Sequence, residues 1–518
     1  MMMREPRANV RSLLRVYLTA IMVCCIALAM RCLALGVDGL WLDEVYSASF
    51  ASLAPIDLVI AALRFDLHPP LYYLQLAIWG VVSLDDNWLL ANSIAWSIGT
   101  LLLAGYGVCR LTRSNYVAWL LVTLVVSVLG SEVYYASELR MYAMISFLTV
   151  LGWVRADHWL EISSLRNSTW LVAVLGALGW SHSTAFIPVS SVLLYAIMSC
   201  RGRQNLKELK TFAGIVAAVG VLLTPWLINA SLRSVSHTVF PTVPEVLRSI
   251  VGWAIGYGAL DIPDMVRIVA GCVIVLYVAV ATFIGDRKTR LILVCFVIWP
   301  TVLIIALSYF VRPIWISRVV AFSAPFLAIS VALFWYDRVH RIKNVLSSNF
   351  ALSYWMFGLL IFSLGSLSWM QATMPHKMQY RDAALLIAKN NIERLPILVP
   401  GNVTFWGMAR YLRSPDWGSI LDIQDPVTRN GSDVWGRIYD RLGSKWLERL
   451  HLVPTDRKVS TDYGDMWIGS SPLPQGVGSK GVWVVGNNNL TEVDACGNSV
   501  SNNVWKFRGV VVFRCSFE

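Results

Sequence analysis

The feature that most constrains this chain is a succession of long apolar runs between Val16 and Met370, separated by short polar loops. Such a chain must satisfy its backbone without water for much of its length, which bundled helices in lipid can do. Eleven runs reach or approach the roughly 20 residues that a span requires. They fall near 16–35, 88–109, 116–131, 140–154, 169–182, 184–200, 211–229, 265–284, 291–310, 319–336 and 351–370. Composition agrees: 56% of residues are hydrophobic and only 14% charged, against about 25% charged in a soluble domain. A cytosolic enzyme and an ordinary secreted protein are excluded.

Charge then orients the spans. Arg4, Arg7, Arg11 and Arg15 precede the first run. That run is too long for a signal peptide, and no small-residue cleavage site follows it. The N-terminus is therefore expected in the cytoplasm. Arg31, near the end of the same run, is expected to snorkel to the interface. Leu71–Leu84 is apolar but too short to cross. If it lies in the interface, Arg110 and Arg113 fall inside, as do the later basic loops around Arg155, Arg201, Arg287 and Arg338. The net charge of +11 is thereby accounted for by positive-inside loops, and no nucleic-acid partner is expected. Eleven spans place the tail outside.

The chain divides at about residue 370. The last 148 residues hold 31 of the 75 charged side chains, so 1–370 reads as the membrane domain and 371–518 as an extracytoplasmic tail. Within the tail, a helical pattern over Arg381–Ile392 and strand-like stretches at 396–400, 482–485 and 510–513 suggest a small α/β domain. The expected fold is thus a polytopic α-helical membrane protein of about eleven spans, with interfacial helices in its first outer loop and a small C-terminal α/β domain.

The chemistry-bearing residues gather on the outer side. Asp43 and Glu44 stand just beyond the first span, framed by Trp41 and Tyr46. They read either as a solvated acidic loop anchored by aromatics or as a general base at the membrane surface. Asp66 and His68 precede Pro69-Pro70 and the short apolar segment that carries Tyr72. A lone histidine is usually structural, but here it shares a helix mouth with an aspartate. Glu138, Arg140 and Tyr142 stand at the outer end of a span, where charge is expensive unless used. The bland alternative is an interfacial ion pair. His182 sits at an outer turn and reads either as a satisfied bundle histidine or as a substrate contact.

Taken together, in this order and spacing, these residues resemble the membrane-embedded glycosyltransferases of the C superfamily. The similarity is to the branch of the protein O-mannosyltransferases and the lipid A aminoarabinose transferase. It runs from Gly39 to Trp153 and returns at Trp180–Phe186, Arg312–Pro325 and Tyr380–Ala384. The resemblance implies transfer of a sugar from a polyprenyl-phosphate donor to a hydroxyl acceptor at the outer membrane face. That acceptor is a lipid, a polysaccharide or a protein. Asp43 takes the family's catalytic position, with Glu44 beside it and Glu138 as second acid. Arg140, Arg312 and Arg318 are candidates for the departing phosphate. Asp43, Glu44, Asp66, His68 and Glu138 could supply ligands to a divalent metal, but no spacing demands one. His68 stands where the aminoarabinose branch has a lysine, and 230–264 is too short for the extra domain of the mannosyltransferases.

Seven of the nine cysteines lie in or beside spans, while Cys496 and Cys515 stand in the tail and are expected to pair if it lies outside. The rival function is a transporter or flippase of lipids or lipid-linked sugars. It calls for ionisable groups or broken helices at mid-membrane and often for repeated halves. The sequence shows no such repeat. A third possibility, a scaffold without activity, is opposed by the intact Asp43, Glu138 and Arg140.

Overall fold

The structure is a computed structural model that describes residues 10–113, 115–200, 206–231, 240–257, 262–342, 347–399, 402–413, 458–468, 481–490 and 500–516. It opens with helix α1 (Val10–Cys32), followed by three short helices, α2 (Leu42–Ala51), α3 (Pro55–Phe65) and α4 (Leu71–Gly80). A ten-residue helix rises about 15 Å, half of a bilayer's hydrocarbon thickness of about 30 Å, so α4 cannot cross. Pro70 caps its start, consistent with the diproline ending one segment and beginning the next.

The bundle continues with α5 (Asp86–Leu111), α6 (Tyr116–Val128), α7 (Gly130–Ala136), α8 (Tyr142–Glu161), α9 (Leu165–Gly179) and α10 (Phe186–Ser199). Next come α11 (Leu206–Ser231), α12 (Val243–Ile255), α13 (Asp264–Ile284), α14 (Arg287–Leu293), α15 (Trp299–Phe310), α16 (Ala324–Ile342) and α17 (Ser347–Thr373). Among the described residues five stretches are long and apolar enough to cross a membrane: 86–111, 207–229, 264–284, 287–310 and 317–338. The bent pair α6–α7 makes a sixth. The chain is a multi-pass membrane protein. The other expected spans fall on α1, α8, α9, α10 and α17, and the total of eleven is our reading of long and short helices together.

Two expectations need correction. The run 116–131 does not end in a loop: after a break at Leu129 the chain turns by 56° and continues as α7. Gly130 lets α7 lie against the end of α12, because a Cβ there would overlap the backbone of Ile255 and Gly256. The break frees carbonyls of α6, and this is where Arg31 goes. It does not snorkel but is fully buried. Its guanidinium donates to Val126 O at 3.2 Å, Ser127 O at 3.1 Å, Ala27 O at 3.0 Å and Ser97 Oγ at 2.8 Å. Ser368 Oγ takes Val128 O at 2.7 Å. A buried arginine is tolerable when every arm meets an acceptor, and a broken helix supplies those acceptors.

The described residues of the tail form a six-stranded sheet of β1 (Ile397–Val399), β2 (Lys458–Thr461), β3 (Gly464–Ile468), β4 (Val482–Gly486), β5 (Val500–Phe507) and β6 (Val510–Ser516), with α18 (Tyr380–Asn390) and α19 (Asn402–Tyr411). The strand order is β2-β3-β1-β4-β6-β5, and β1 pairs in parallel with both β3 and β4. It rests on the first loop. Arg381 donates to the carbonyls of Gly36 and Val37, and Arg410 and Tyr411 both engage the Asp86 carboxylate. A Cβ on Gly39 would stand 2.8 Å from Arg381 Cβ and from the Tyr411 hydroxyl, so the close approach needs glycine. Cys515 is disulfide-bonded and the seven membrane-part cysteines are free. Its expected partner, Cys496, lies outside the described residues.

Candidate functional site

Asp43 and Glu44 open α2, and successive helical residues point about 100° apart. One therefore faces the accessible side and the other the interior. The Asp43 side chain is 24% exposed and pairs with Arg318 at 3.1 Å. Glu44 is fully buried. Its Oε1 accepts from Leu139 N–H and from Lys377 Nζ, each at 2.7 Å, and its Oε2 from Trp41 N–H at 3.0 Å. Burial pushes its carboxyl up, and Lys377 with the two N–H groups works against that.

The turn between α7 and α8 brings Glu138 and Arg140 against α2. They do not form the ion pair that was the bland alternative for them. Arg140, 6% exposed, donates through Nη1 to Asp43 O at 3.1 Å and Ser47 Oγ at 3.3 Å. Among the described residues its buried Nε has no acceptor, and no carboxylate lies within ion-pair distance of it. An arginine is always charged, so a buried guanidinium with an open edge is an electrostatic debt that an incoming anion would settle. Glu138 is buried as well. Desolvation, then the nearby Glu44 carboxylate, push it up to about 7, against the pull of Lys377, Tyr134 and Arg318.

Asp66 and His68 flank the same space. The Tyr73 hydroxyl and the His68 N–H (3.1 Å) donate to Asp66, while burial raises its proton affinity. The rings of His68 and His182 lie 4.3 Å apart. Burial, with Arg140 and Arg318 nearby, holds both far below the ordinary imidazole value, so both are neutral at pH 7. His182 Nδ1 accepts from Thr184 N–H at 3.1 Å, and its ring faces Tyr142 at 5.8 Å. Tyr142 also lies beneath the Arg318 guanidinium, 5.9 Å from ring to charge. Tyr72 is fully buried, its ring edge-on to Tyr73.

The structure thus brings together Asp43, Glu44, Glu138, Arg140, Arg318, Asp66, His68, Tyr72, Tyr142 and His182. No described contact joins Arg312 to this group; it follows α15, where its backbone N–H donates to Leu307 O. Sequence reasoning missed Lys377, whose side chain is buried on Glu44. Its one sequence sign is a Pro-His-Lys immediately after the last span. Beside the cluster lies a cavity of about 370 Å³, walled by Arg248, Tyr257, Arg267, Trp315, Ser317 and Gln371. Ser317 adjoins Arg318, and Tyr257 packs on Tyr134 and Tyr135.

A divalent metal fits these residues poorly. Asp43 is already paired with Arg318 and Glu44 with Lys377. Among the described residues no three of His, Cys, Asp and Glu converge as ligands.

No family model and no curated protein matches the chain. Solved structures do. ArnT from Cupriavidus metallidurans in the apo state is 12% identical, with a TM-score of 0.56, over 96% of this chain and 97% of that one. The same protein bound to undecaprenyl phosphate gives 11% and 0.54 over the same shares. The Archaeoglobus fulgidus oligosaccharyltransferase, at 11% identity and a TM-score of 0.43, matches 76% of this chain. The chain spans 61% of that protein's length, and so weak a likeness carries no argument. Over nearly its whole length the chain shares the fold of ArnT.

Proposed function

We propose that this protein is a membrane glycosyltransferase that moves a sugar from a polyprenyl-phosphate donor to a hydroxyl acceptor at the outer face of the membrane. The observation that carries this reading is the buried, open-edged Arg140 beside the Asp43–Arg318 pair. A cation so placed suits a lipid phosphate, whose leaving oxygen gains negative charge as its bond to the sugar breaks. The shared fold adds weight, since the ArnT that it matches was captured with undecaprenyl phosphate.

In this reading the acceptor oxygen attacks the anomeric carbon as the bond from that carbon to the phosphate oxygen breaks. The phosphate leaves with the electron pair, and Asp43 takes the acceptor's proton. A single displacement of this kind inverts the anomeric centre. Arg140 and Arg318 hold the phosphate, and Glu44 fixes the helix that carries Asp43. Glu138 tunes the field at Arg318. The neutral imidazoles of His68 and His182, with Asp66, Tyr72 and Tyr142, line the sugar's approach. The adjoining cavity falls in the size range of small-ligand sites, roughly 300–1,000 Å³, and its aromatic and polar lining suits a sugar. The tail caps the site from the extracytoplasmic side.

A translocator of lipid-linked sugars is the second reading, favoured by the broken helix α6–α7 and by Arg31 and Glu132 buried beside it. Those two are bridged by Ser97, which meets Arg31 Nε at 2.8 Å and Glu132 Oε2 at 3.3 Å, whereas Arg140 is open. Binding of polyprenyl phosphate to the protein in nanodiscs tests the main reading. Arg140→Met should weaken it about 10–100-fold, the worth of a charged hydrogen bond. Arg140→Lys should recover only part, because an ammonium lacks the planar fork. Unchanged binding in Arg140→Met would remove the phosphate site from this place.

A further inference from the structure

The segment after the last membrane helix does something that the proposed reaction leaves unexplained. α17 ends at Thr373, and the strap 374–379 then turns back into the bundle. Asp38 holds its backbone: Oδ2 accepts from the N–H of His376 at 2.9 Å and of Lys377 at 3.3 Å, with His376 Nδ1 also 3.3 Å away. The His376 ring packs on Tyr134 at 5.2 Å. Lys377 points inward with its side chain only 5% exposed. Its Nζ donates to Glu44 Oε1 at 2.7 Å and to Ser137 O at 2.6 Å. Glu44 accepts from Leu139 N–H as well. One ammonium therefore ties the start of α2, which bears Asp43, to the turn that bears Glu138 and Arg140.

The far side of the strap is held by the sheet. In the β5–β6 turn, Arg508 N–H donates to Gln379 Oε1 at 2.8 Å and Arg508 O accepts from Gln379 N–H at 3.0 Å. The Arg508 guanidinium reaches Pro375 O. Gly509, at φ +73°, lies so close that a Cβ would stand 2.7 Å from Met378 Cγ. A lysine at the edge of a bundle ordinarily carries its charge to water. Here both ends of the strap are fastened so that it cannot.

We infer that Lys377 is a positioning residue of the active centre and that the C-terminal sheet acts on the site through it. The hairpin fixes the strap, the strap fixes Lys377, and Lys377 fixes the Asp43 helix against the Glu138–Arg140 turn. What is positioned rests on the glycosyltransfer reading; the coupling rests on the geometry alone. The groups facing Glu138 are Glu44 from α2, Tyr72 from α4, Tyr134 and Tyr135 from α7, Tyr142 from α8, Arg318 from the turn before α16, and Lys377 from the strap. Burial and Glu44 raise its proton affinity, and Lys377, Tyr134 and Arg318 lower it. Loss of the Lys377 charge therefore moves the Glu138 titration upward from about 7.

The full-length protein in nanodiscs tests this in two arms. The first needs no substrate: an amine-reactive ester is applied and labelling of each lysine is read by mass spectrometry. Lys377 should be protected in the wild type and should label at least fivefold more in Arg508→Ala, while exposed Lys389 labels equally in both. Equal labelling of Lys377 and Lys389 in the wild type, or no change in Arg508→Ala, would overturn the coupling. The second arm follows polyprenyl phosphate release from lipid-linked sugars. Lys377→Met should lower kcat at least tenfold, leave the donor KM within threefold, and shift the inflection near pH 7 upward. Lys377→Arg should return the inflection toward its wild-type place. Full activity of Lys377→Met with an unmoved profile would overturn the positioning role. Arg508→Ala, which lies outside the site, gives the same kinetic test if Lys377→Met does not fold, with a several-fold fall in kcat expected and wild-type kinetics contradicting the inference. A wild type that releases nothing would refute the glycosyltransfer reading and leave the coupling to be decided by the labelling arm.

Discussion

Replacing Glu138 by glutamine should change how the protein's stability responds to pH. The carboxyl is buried and stands near Glu44, which together carry it from the ordinary value of 4.5 to about 7. Between those two values the folded protein holds a proton at Glu138 that the unfolded chain has released. Unfolding then sheds a proton, so stability falls as pH rises across that window. At 1.36 kcal/mol for each unit, a rise from 4.5 to about 7 amounts to roughly 3 kcal/mol lost by pH 7. Glu138→Gln keeps the shape and cannot titrate, so this part of the slope should vanish. Thermal unfolding of wild type and variant in the same micelles, from pH 4 to 9, measures it. His376 contributes the opposite slope: burial, then the Lys377 charge, hold it down at about 4, so stability rises between about 4 and 6.5. That term is common to both proteins and cancels in the difference. A difference curve flat from pH 4 to 9 would refute the assignment of a raised carboxyl at Glu138.

Arg31→Met should destabilise the bundle by about 3–5 kcal/mol, because it strips the partner from α6 carbonyls and from the network that contains Glu132; a variant that melts with the wild type would contradict the capping role. Cys515 should resist alkylation in the native protein and react only after reduction, read by mass spectrometry of the intact chain. Ready alkylation without reductant would argue against an oxidising compartment for the tail.

Much of this architecture was legible because lipid leaves few alternatives. Apolar runs became helices, the short 71–84 run became a helix too short to cross, and the β1, β4 and β6 stretches matched their apolar patterns. Strands β2, β3 and β5 were missed: they mix apolar and polar residues, so nothing local separates them from loops. Arg31 misled for a physical reason. Its distance from the end of the run permits snorkelling, and the carbonyls that hold it exist only because α6 breaks at Leu129. In the site, the motifs of Asp43, Glu138 and Arg140 were legible as candidates, and α2 and the α7–α8 turn bring them together. Their pairing was not: Arg140 and Glu138 are near in sequence, yet Asp43 finds Arg318, 275 residues away. Lys377 was invisible for the same reason, since its partner Glu44 is 333 residues earlier.

The most direct test of the account is sugar transfer by the purified protein in lipid vesicles, with Asp43→Asn alongside. A panel of polyprenyl-phosphate sugars serves as donor, membrane extract as acceptor, and release of polyprenyl phosphate as the readout. Release by the wild type is expected, with a fall of about 10²–10⁴-fold in the variant, the range of general-base catalysis. Equal release by both proteins would take the base away from Asp43. No release by either, with movement of lipid-linked sugar between leaflets instead, would contradict the account and establish the translocator.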